Sequence, residues 1–164
     1  MNIYGFEKGK ETEKAVKSFL GLPAEVSKKG QIDAFYAGYS IEIKRGACAL
    51  YVGKRFNRYR NASNATEKLS DYAFFYEDTD EGTALERSER VAYSIDGTVE
   101  ATYILSTTRF LHYVSITNAA KLYRQGKGKM LRIVPNKEFV ALIQECATPL
   151  GEWKERHDRR RARG

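Results

Sequence analysis

The stretch that most constrains the fold is QIDAFYAGYSIEIKRG, residues 31–46, in which two runs rich in β-forming residues flank Ala37 and Gly38. Alternation on either side of a two-residue turn predicts a β-hairpin. With Ala37 and Gly38 at the centre of the turn, the cross-strand register sets Asp33 opposite Glu42.

Polar side chains are expected to gather on one face of this hairpin. Strand side chains alternate between faces, so Glu42 and Lys44 share a face, and Asp33 joins them. The opposite, buried face is predicted to carry Ile32, Ile41 and Ile43.

Two interpretations of the polar trio remain open at this point. Carboxylates held a few ångströms apart resist ionisation unless a cation lies between them, and Mg²⁺ prefers oxygen ligands of this kind. Lys44 beside such a cation would orient or deprotonate a water molecule, as phosphodiester hydrolysis requires. Alternatively, the trio is an ion-paired decoration of a solvated sheet face.

The first predicted helix supplies a further acid. From Gly9 to Leu20 apolar residues recur at helical spacing, and Glu13 precedes Leu20 by seven positions, at the border of the buried stripe. Glu11 points nearly the opposite way. Glu13 is therefore the acid expected to lean over the sheet, with a solvated surface carboxylate as the alternative.

The charge distribution favours a polyanionic partner. The formal net charge is +7; residues 154–164 carry six Lys/Arg against two acids, and residues 1–60 carry twelve against six. Residues 77–90 carry six acids against two arginines. Nucleic acid is the leading candidate partner, with the acidic stretch turned away. The expected DNA contacts near the hairpin are Lys28, Lys29, Arg45, Lys54, Arg55 and Arg58.

Cysteine and histidine content argues against several other classes of site. Cys48 and Cys146 lie far apart, and with His112 and His157 they form no zinc-ligand spacing. A reducing, cytoplasmic compartment is the simplest prediction. No apolar run approaches bilayer length, so no membrane partner is expected. No organic cofactor is expected either.

The remaining pattern predicts a mixed α/β sheet with helices on its faces. A helix over residues 57–70 between strands implies a crossover and a partly parallel sheet, and Asp96-Gly97 marks a second hairpin. The other predicted elements are short strands at 24–29, 71–77, 109–116 and 129–135, a helix from Thr117 or Asn118 to near Gly126, and a helix at 136–147. One domain is expected over residues 1–150, followed by a basic, flexible tail at 151–164.

Asp33 and the run Glu42-Ile43-Lys44, preceded by a helix bearing Glu13, resemble the PD-(D/E)XK nuclease superfamily, although Ile32 stands where that motif has proline. Lys8-Gly9 before Glu13, the hairpin, and LYVGKR at 50–55 resemble the archaeal-type Holliday junction resolvases. The likeness covers roughly the first third of the chain. It implies a restriction-endonuclease-like α-β-β-β-α-β core in a single nuclease domain, to which the 77–104 segment with its β-hairpin would be an insertion.

The resemblance also implies a site and partners. Mg²⁺ or Mn²⁺ would be bound by Asp33, Glu42 and the backbone carbonyl of Ile43, with Lys44 catalytic and Glu13 completing the site, as a metal ligand through water. The resolvases are homodimers that act on branched DNA, and they carry a serine shortly before the first Asp. Ser27 is the candidate for that serine, at a longer separation.

Three functions from different classes follow. The first is structure-specific cleavage of four-way DNA junctions, which predicts symmetric nicks in a junction and little cutting of linear duplex. The second is a small restriction-type or general DNA endonuclease with the same core, in which residues 77–104 would read bases. The third is a DNA-binding protein without catalytic activity, in which the charged trio is decoration.

Overall fold

The computed structural model describes residues 3–28, 31–50, 83–125 and 128–163. Its helices are α1 (Ile3–Phe19), α2 (Ala84–Arg87), α3 (Thr107–Ile116), α4 (Lys137–Cys146) and α5 (Leu150–Arg163). Its strands are β1 (Ala34–Tyr36), β2 (Tyr39–Arg45), β3 (Cys48–Ala49), β4 (Arg90–Ser94), β5 (Thr102–Ser106), β6 (Ala120–Gln125), β7 (Gly128–Ile133) and β8 (Thr148–Pro149). None of these described helices is both long and apolar enough to cross a bilayer.

The strands form two sheets. The larger has the order β1-β2-β4-β5-β8, with β2 and β4 parallel and its other neighbours antiparallel. The smaller, antiparallel sheet has the order β3-β7-β6. The predicted α/β class with a mixed, partly parallel sheet is therefore confirmed. The helix at 57–70 and the strand at 71–77, on which the finer core order depends, lie outside the described residues.

The first hairpin has the predicted register. Phe35 pairs with Ser40 and Tyr36 with Tyr39. Ala37 and Gly38 have positive φ angles of 51° and 84°. Two consecutive left-handed residues are the signature of the turn that matches the twist of a tight hairpin. The turn therefore fixes which side chains of β2 face each side of the sheet.

Two apolar clusters cover the two faces of the larger sheet. On one face, α1 and α5 bury Val16 and Trp153 against Ile41 and Ile43. On the other, Tyr93 of β4 packs with residues of α3, α4 and β7. Helices thus lie on both faces, as predicted, although Ile32 is only half-buried.

The second predicted hairpin is present, and its strands belong to the larger sheet. β4 and β5 pair antiparallel on either side of Asp96 and Gly97, where Gly97 has a φ of 96°. Because β4 pairs directly with β2, this hairpin lies in the middle of the larger sheet.

The strand predicted at 24–29 is not formed, since residues 24–28 have no regular structure.

The strand predicted at 109–116 is wrong, since these residues belong to helix α3. The Ser106 side chain caps the helix by accepting a hydrogen bond from the Arg109 amide. Phe110, Leu111 and Val114 are buried at helical spacing. The helix ends at Ile116, and Asn118, just beyond its Thr117 cap, has a positive φ of 53°. Accordingly, the helix predicted after Thr117 is also wrong, because β6 occupies 120–125.

The predictions for the next two elements are confirmed. β7 covers most of the strand expected at 129–135. The Asn136 side chain then accepts a hydrogen bond from the Phe139 amide at 2.8 Å and begins α4. An asparagine cap of this kind satisfies an amide that the helix leaves unpaired.

The expected flexible tail is instead the helix α5. Leu150 and Trp153, three residues apart, are 1% and 7% exposed in the core beneath α1. Pairs of opposite charge four residues apart line the exposed side, as with Lys154 and Asp158 at 2.6 Å. The charge density that suggested disorder is therefore the solvated face of an amphipathic helix.

Trp153→Ala is expected to lower the free energy of unfolding by about 3 kcal/mol or more, because truncation of a buried indole leaves a cavity. Urea unfolding followed by circular dichroism measures this loss. Ala162→Gly, at an exposed position near the end of the same helix, is the control and should cost about 1 kcal/mol or less. Equal unfolding midpoints for wild type and Trp153→Ala would mean that α5 does not dock on the sheet.

Candidate active site

Asp33 lies where the β1–β2 ladder ends. Its Oδ2 accepts a hydrogen bond from the Ile43 amide at 2.8 Å, so the carboxylate takes an amide that a continued β1 would otherwise pair. Glu42 and Lys44 flank Ile43 and project from the opposite face of β2 from that isoleucine. The turn chemistry of Ala37 and Gly38 thus brings all three predicted polar residues to one end of the hairpin.

Glu13 comes to the same place from α1. This carboxylate is 9% exposed, and it forms a 3.0 Å ion pair with Lys17, one helical turn along. Lys17 is also buried, and its ammonium donates to the backbone carbonyl of Glu25 at 2.5 Å. The lysine therefore ties Glu13 to the segment that follows α1.

Ser27 links Glu13 to Asp33. Its amide donates to Glu13 Oε2 at 2.6 Å, and its hydroxyl donates to Asp33 Oδ1 and lies 3.3 Å from Glu13 Oε1. A serine hydroxyl has one proton, so it satisfies one carboxylate at a time. The two acids are thus held close together with too few donors between them.

Burial and mutual repulsion raise the pKa values of two of these acids. The pKa of Glu42 lies well above its ordinary value, first because the group is buried and second because of Asp33, while Lys44 acts in the opposite direction. The pKa of Glu13 is raised by burial and then by Asp33, against the hydrogen bond from Ser27 and the pairing with Lys17. The cluster therefore carries more potential negative charge than its surroundings neutralise.

One carboxylate oxygen has no hydrogen-bond partner in the described part of the chain. Glu42 Oε2 is buried and is left without a donor. A buried carboxylate oxygen in this state is costly unless a cation or a proton meets it. The charges of Asp33 and Lys44 both act on this carboxyl group, so the deficit belongs to the predicted site.

The donor set fits a hard divalent cation. No three of the described carboxylate, histidine and cysteine side chains form a ready-made metal-ligand group. Mg²⁺, however, is commonly held by one or two carboxylates and completes its shell with water and phosphate. Asp33 and Glu42 supply two carboxylates. The N–H and C=O of a strand residue point toward the same neighbour, and the Ile43 N–H points toward Asp33. The Ile43 carbonyl would therefore supply a third oxygen.

Lys44 is held beside this cluster by β3. Its ammonium donates to the Ala49 carbonyl at 3.2 Å, and the side chain is half-buried. The position of the ammonium is therefore set by its contact with the protein. Its influence on the pKa of Glu42 places the two charges close together.

The predicted DNA contacts divide into three groups. Lys28 is exposed, and its amide donates to the Gln31 side chain at 3.0 Å. Arg45 is half-buried, and a side chain at Gly97 would meet its guanidinium carbon at 3.3 Å. Arg45 therefore packs against the β4–β5 loop instead of extending into solvent. The others, Lys29, Lys54, Arg55 and Arg58, lie outside the described residues.

Two residues that surround the acids were missed or underweighted in the sequence. Lys17 is four residues after Glu13, a spacing that places opposite charges side by side on a helix and that identifies the pair directly. Ser27 has no comparable local signal, since its contacts depend on how residues 20–33 turn back toward the sheet. Comparison with protein-family models, curated proteins and solved structures gives no match, so the site is interpreted from its own geometry.

Ser27→Ala is expected to lower the free energy of unfolding by about 1–2 kcal/mol, because it removes the hydroxyl between two carboxylates and leaves them facing each other. Chemical denaturation at neutral pH in EDTA measures this loss. Ser18→Ala, at an exposed position on α1, is the matched control and should change stability by less than about 0.5 kcal/mol. If both substitutions have the same small effect, Ser27 does not link the acids.

Proposed function

We propose that the protein is a metal-dependent endonuclease that hydrolyses DNA phosphodiester bonds, with four-way junctions as its preferred substrate. The observation that carries the proposal is the buried, unpartnered oxygen of Glu42 beside Asp33 and Lys44. An ion-paired decoration of a solvated face would instead be exposed and satisfied by water. Glu42 is 8% exposed, which favours the catalytic interpretation.

Asp33, Glu42 and the Ile43 carbonyl would hold Mg²⁺ or Mn²⁺, and Glu13 would act through a water molecule. The bound cation would polarise a phosphate oxygen and lower the pKa of a water molecule. Lys17 and Ser27 hold Glu13 close to Asp33, so that the acids are already gathered before a cation arrives. Preorganisation of this kind avoids the cost of collecting like charges during the reaction.

Lys44 supplies the positive charge that the reaction requires on the protein side. Its ammonium would orient the attacking water and offset the negative charge that develops on the non-bridging oxygens of the phosphate. The hydrogen bond to the Ala49 carbonyl restrains the ammonium. Its charge would then act on a phosphate that approaches the acid cluster.

The choice of a junction as substrate is supported by the resemblance to the resolvases and by the basic charge of the chain. Cleavage at two symmetric positions needs two sites, so the proposal includes a homodimer. A reducing intracellular compartment is part of the same proposal. It is supported by Cys48 and Cys146, which are both free thiols.

The proposal is tested by incubating the protein with a four-way junction and with linear duplexes of mixed sequence, in Mg²⁺, Mn²⁺ or EDTA. Wild type is expected to nick the junction symmetrically in either metal and to cut the duplexes little, and Asp33→Ala is expected to cut neither. Cutting of a particular duplex sequence would favour the restriction-type enzyme. Binding without cleavage in either metal would overturn the nuclease assignment and favour a DNA-binding protein.

A further inference from the structure

The turn of the first hairpin is packed against α5. The Trp153 ring lies 5.9 Å from that of Tyr36, 5.8 Å from that of Tyr39 and 4.4 Å from that of His157, measured between ring centroids. The Tyr36 hydroxyl donates a hydrogen bond to Asp158, which also pairs with Lys154 at 2.6 Å. These contacts hold α5 beside the hairpin turn.

A shallow groove of about 480 Å³ lies between the hairpin turn and α5. We call it the turn groove, and it is lined by Ala37, Gly38, Tyr39, His157, Arg160 and Arg161. The Arg90 guanidinium lies above the Tyr39 ring, 4.6 Å from its centroid, and so adds a third arginine at this rim. Arg160 and Arg161 are exposed.

Three arginines lie at the turn groove against two nearby acids, Asp158 and Glu89, the latter beside Ser40. Elsewhere on α5, Arg156 pairs with Glu152 and Arg159 pairs with Glu155. Arg160 has no ion pair with any acid of the described segments. Arg161 interacts electrostatically with Asp158, which already binds Lys154 and the Tyr36 hydroxyl.

The His157 imidazole reports the same excess of positive charge. Its pKa is lowered by burial first and then by Arg160 and Arg90, with Asp158 acting in the opposite direction. A site of this kind attracts anions, and arginine in particular suits the geometry of phosphate. The large apolar side chains that the described residues expose are Phe19, Phe35 and Ile116, and none of them lines the groove. The groove therefore lacks the apolar anchor that insertion into a lipid surface or a protein interface would need.

We propose that the turn groove binds backbone phosphates of a DNA duplex. The inferred path of the DNA from this groove to the candidate active site rests on the proposed function. Tyr39 and Lys44 are five residues apart on β2, a distance of about 16 Å at the rise of an extended strand. Successive phosphates of one DNA strand are about 3.4 Å apart along the axis. The groove would therefore contact an arm about five base pairs from the bond that is cut.

The test compares two double variants of the full chain. Arg160→Gln with Arg161→Gln removes the unbalanced charges of the groove, while Arg156→Gln with Arg159→Gln removes the same charge from paired positions on the same helix. Dissociation constants for a fluorescent 20-base-pair duplex are measured in EDTA at several salt concentrations. The groove variant should bind about tenfold more weakly near 0.1 M salt, and its slope of log K against log[salt] should shrink by about 1.8. The control should bind within about twofold of wild type.

Equal losses of affinity in the two variants would overturn the proposal, because net charge alone would then explain binding. It would also be overturned if the groove variant lost affinity only for vesicles of phosphatidylglycerol. Cleavage in Mg²⁺ is scored separately with the same proteins. Duplex binding that depends on the groove, without any cleavage by wild type, would support the groove and contradict the proposed nuclease. Cleavage by wild type, together with duplex binding that does not depend on the groove, would support the proposed nuclease and contradict the groove.

Discussion

Lys44→Ala is expected to slow DNA cleavage by about two to four orders of magnitude, while the dissociation constant for DNA changes by only a few fold. The half-buried ammonium lies beside the carboxylates and is directed by its hydrogen bond to Ala49. Binding energy is spread over many phosphate contacts, whereas charge that develops in the transition state would be met by this one group. Single-turnover rates and equilibrium binding, measured on the same junction, separate the two effects.

Two controls distinguish this role from an indirect effect on the metal. Lys44 also lowers the pKa of Glu42, so its removal is expected to weaken cation binding to some degree. The rate of Lys44→Ala should nevertheless stay low at saturating Mg²⁺. Lys137→Ala, which removes an exposed lysine at the start of α4, should cleave within a few fold of wild type. A Lys44→Ala protein that cuts at the wild-type rate would refute the catalytic assignment.

Glu42→Gln is expected to stabilise the metal-free protein at neutral pH while abolishing its stabilisation by Mg²⁺. In the folded protein the pKa of Glu42 lies well above 4.5, its ordinary value, so the folded state keeps this proton to higher pH than the unfolded chain does. Stability is unaffected below pH 4.5 and falls as pH rises from there through the folded-state pKa. Each unit by which the pKa is raised corresponds to about 1.4 kcal/mol at pH values above both pKa values.

Urea unfolding at pH 5 and pH 7.5 in EDTA measures this dependence. The raised pKa values of Glu42 and Glu13 should lower the stability of wild type over that interval, whereas the lowered pKa of His157 should act in the opposite direction in wild type and variant alike. Glu42→Gln should lose less stability between these pH values. Its free energy of unfolding at pH 7.5 should exceed that of wild type by about 1 kcal/mol or more. Glu11→Gln, at an exposed position on α1, is the matched control and should behave as wild type. Identical pH dependences for wild type and Glu42→Gln would contradict the buried, unneutralised carboxylate.

Local turn and capping chemistry explains which elements could be predicted from the sequence. Ala37-Gly38 allows one tight hairpin register, and that register determines the faces of all the β2 side chains. Asn136 likewise marks a helix start through its own hydrogen bond to the Phe139 amide. These signals act within a few residues, so the surrounding fold has little opportunity to override them.

The wrong predictions concern segments whose conformation is decided by burial in the tertiary structure. Residues 109–116 contain aromatic and β-branched side chains that favour strands, but Phe110 and Val114, four residues apart, are buried together on one side of α3. In α5 the many basic residues suggested a flexible tail, whereas Leu150 and Trp153 are buried and anchor the helix in the core. The core that these residues fill is formed by distant segments, which no local window contains.

The candidate site shows the same division. Asp33, Glu42 and Lys44 follow from hairpin geometry, and Glu13 follows from its place at the edge of a helical stripe. Ser27 depends on the path of the chain between α1 and β1, which the sequence does not specify. The residues that gather the acids were therefore harder to find than the acids themselves.

The most direct test of the account is a calorimetric titration of the metal-free protein with Mn²⁺ at pH 7.5, in buffers of different ionisation enthalpy. Wild type should bind one Mn²⁺ ion per chain with release of no more than one proton, because binding needs the Glu42 carboxylate ionised and the pKa of that group is raised well above its ordinary value. Asp33→Asn should weaken binding more than tenfold, while Glu11→Gln should not change it. Wild type that binds no Mn²⁺, or binds it equally well without the Asp33 carboxylate, would contradict a metal site at the end of this hairpin.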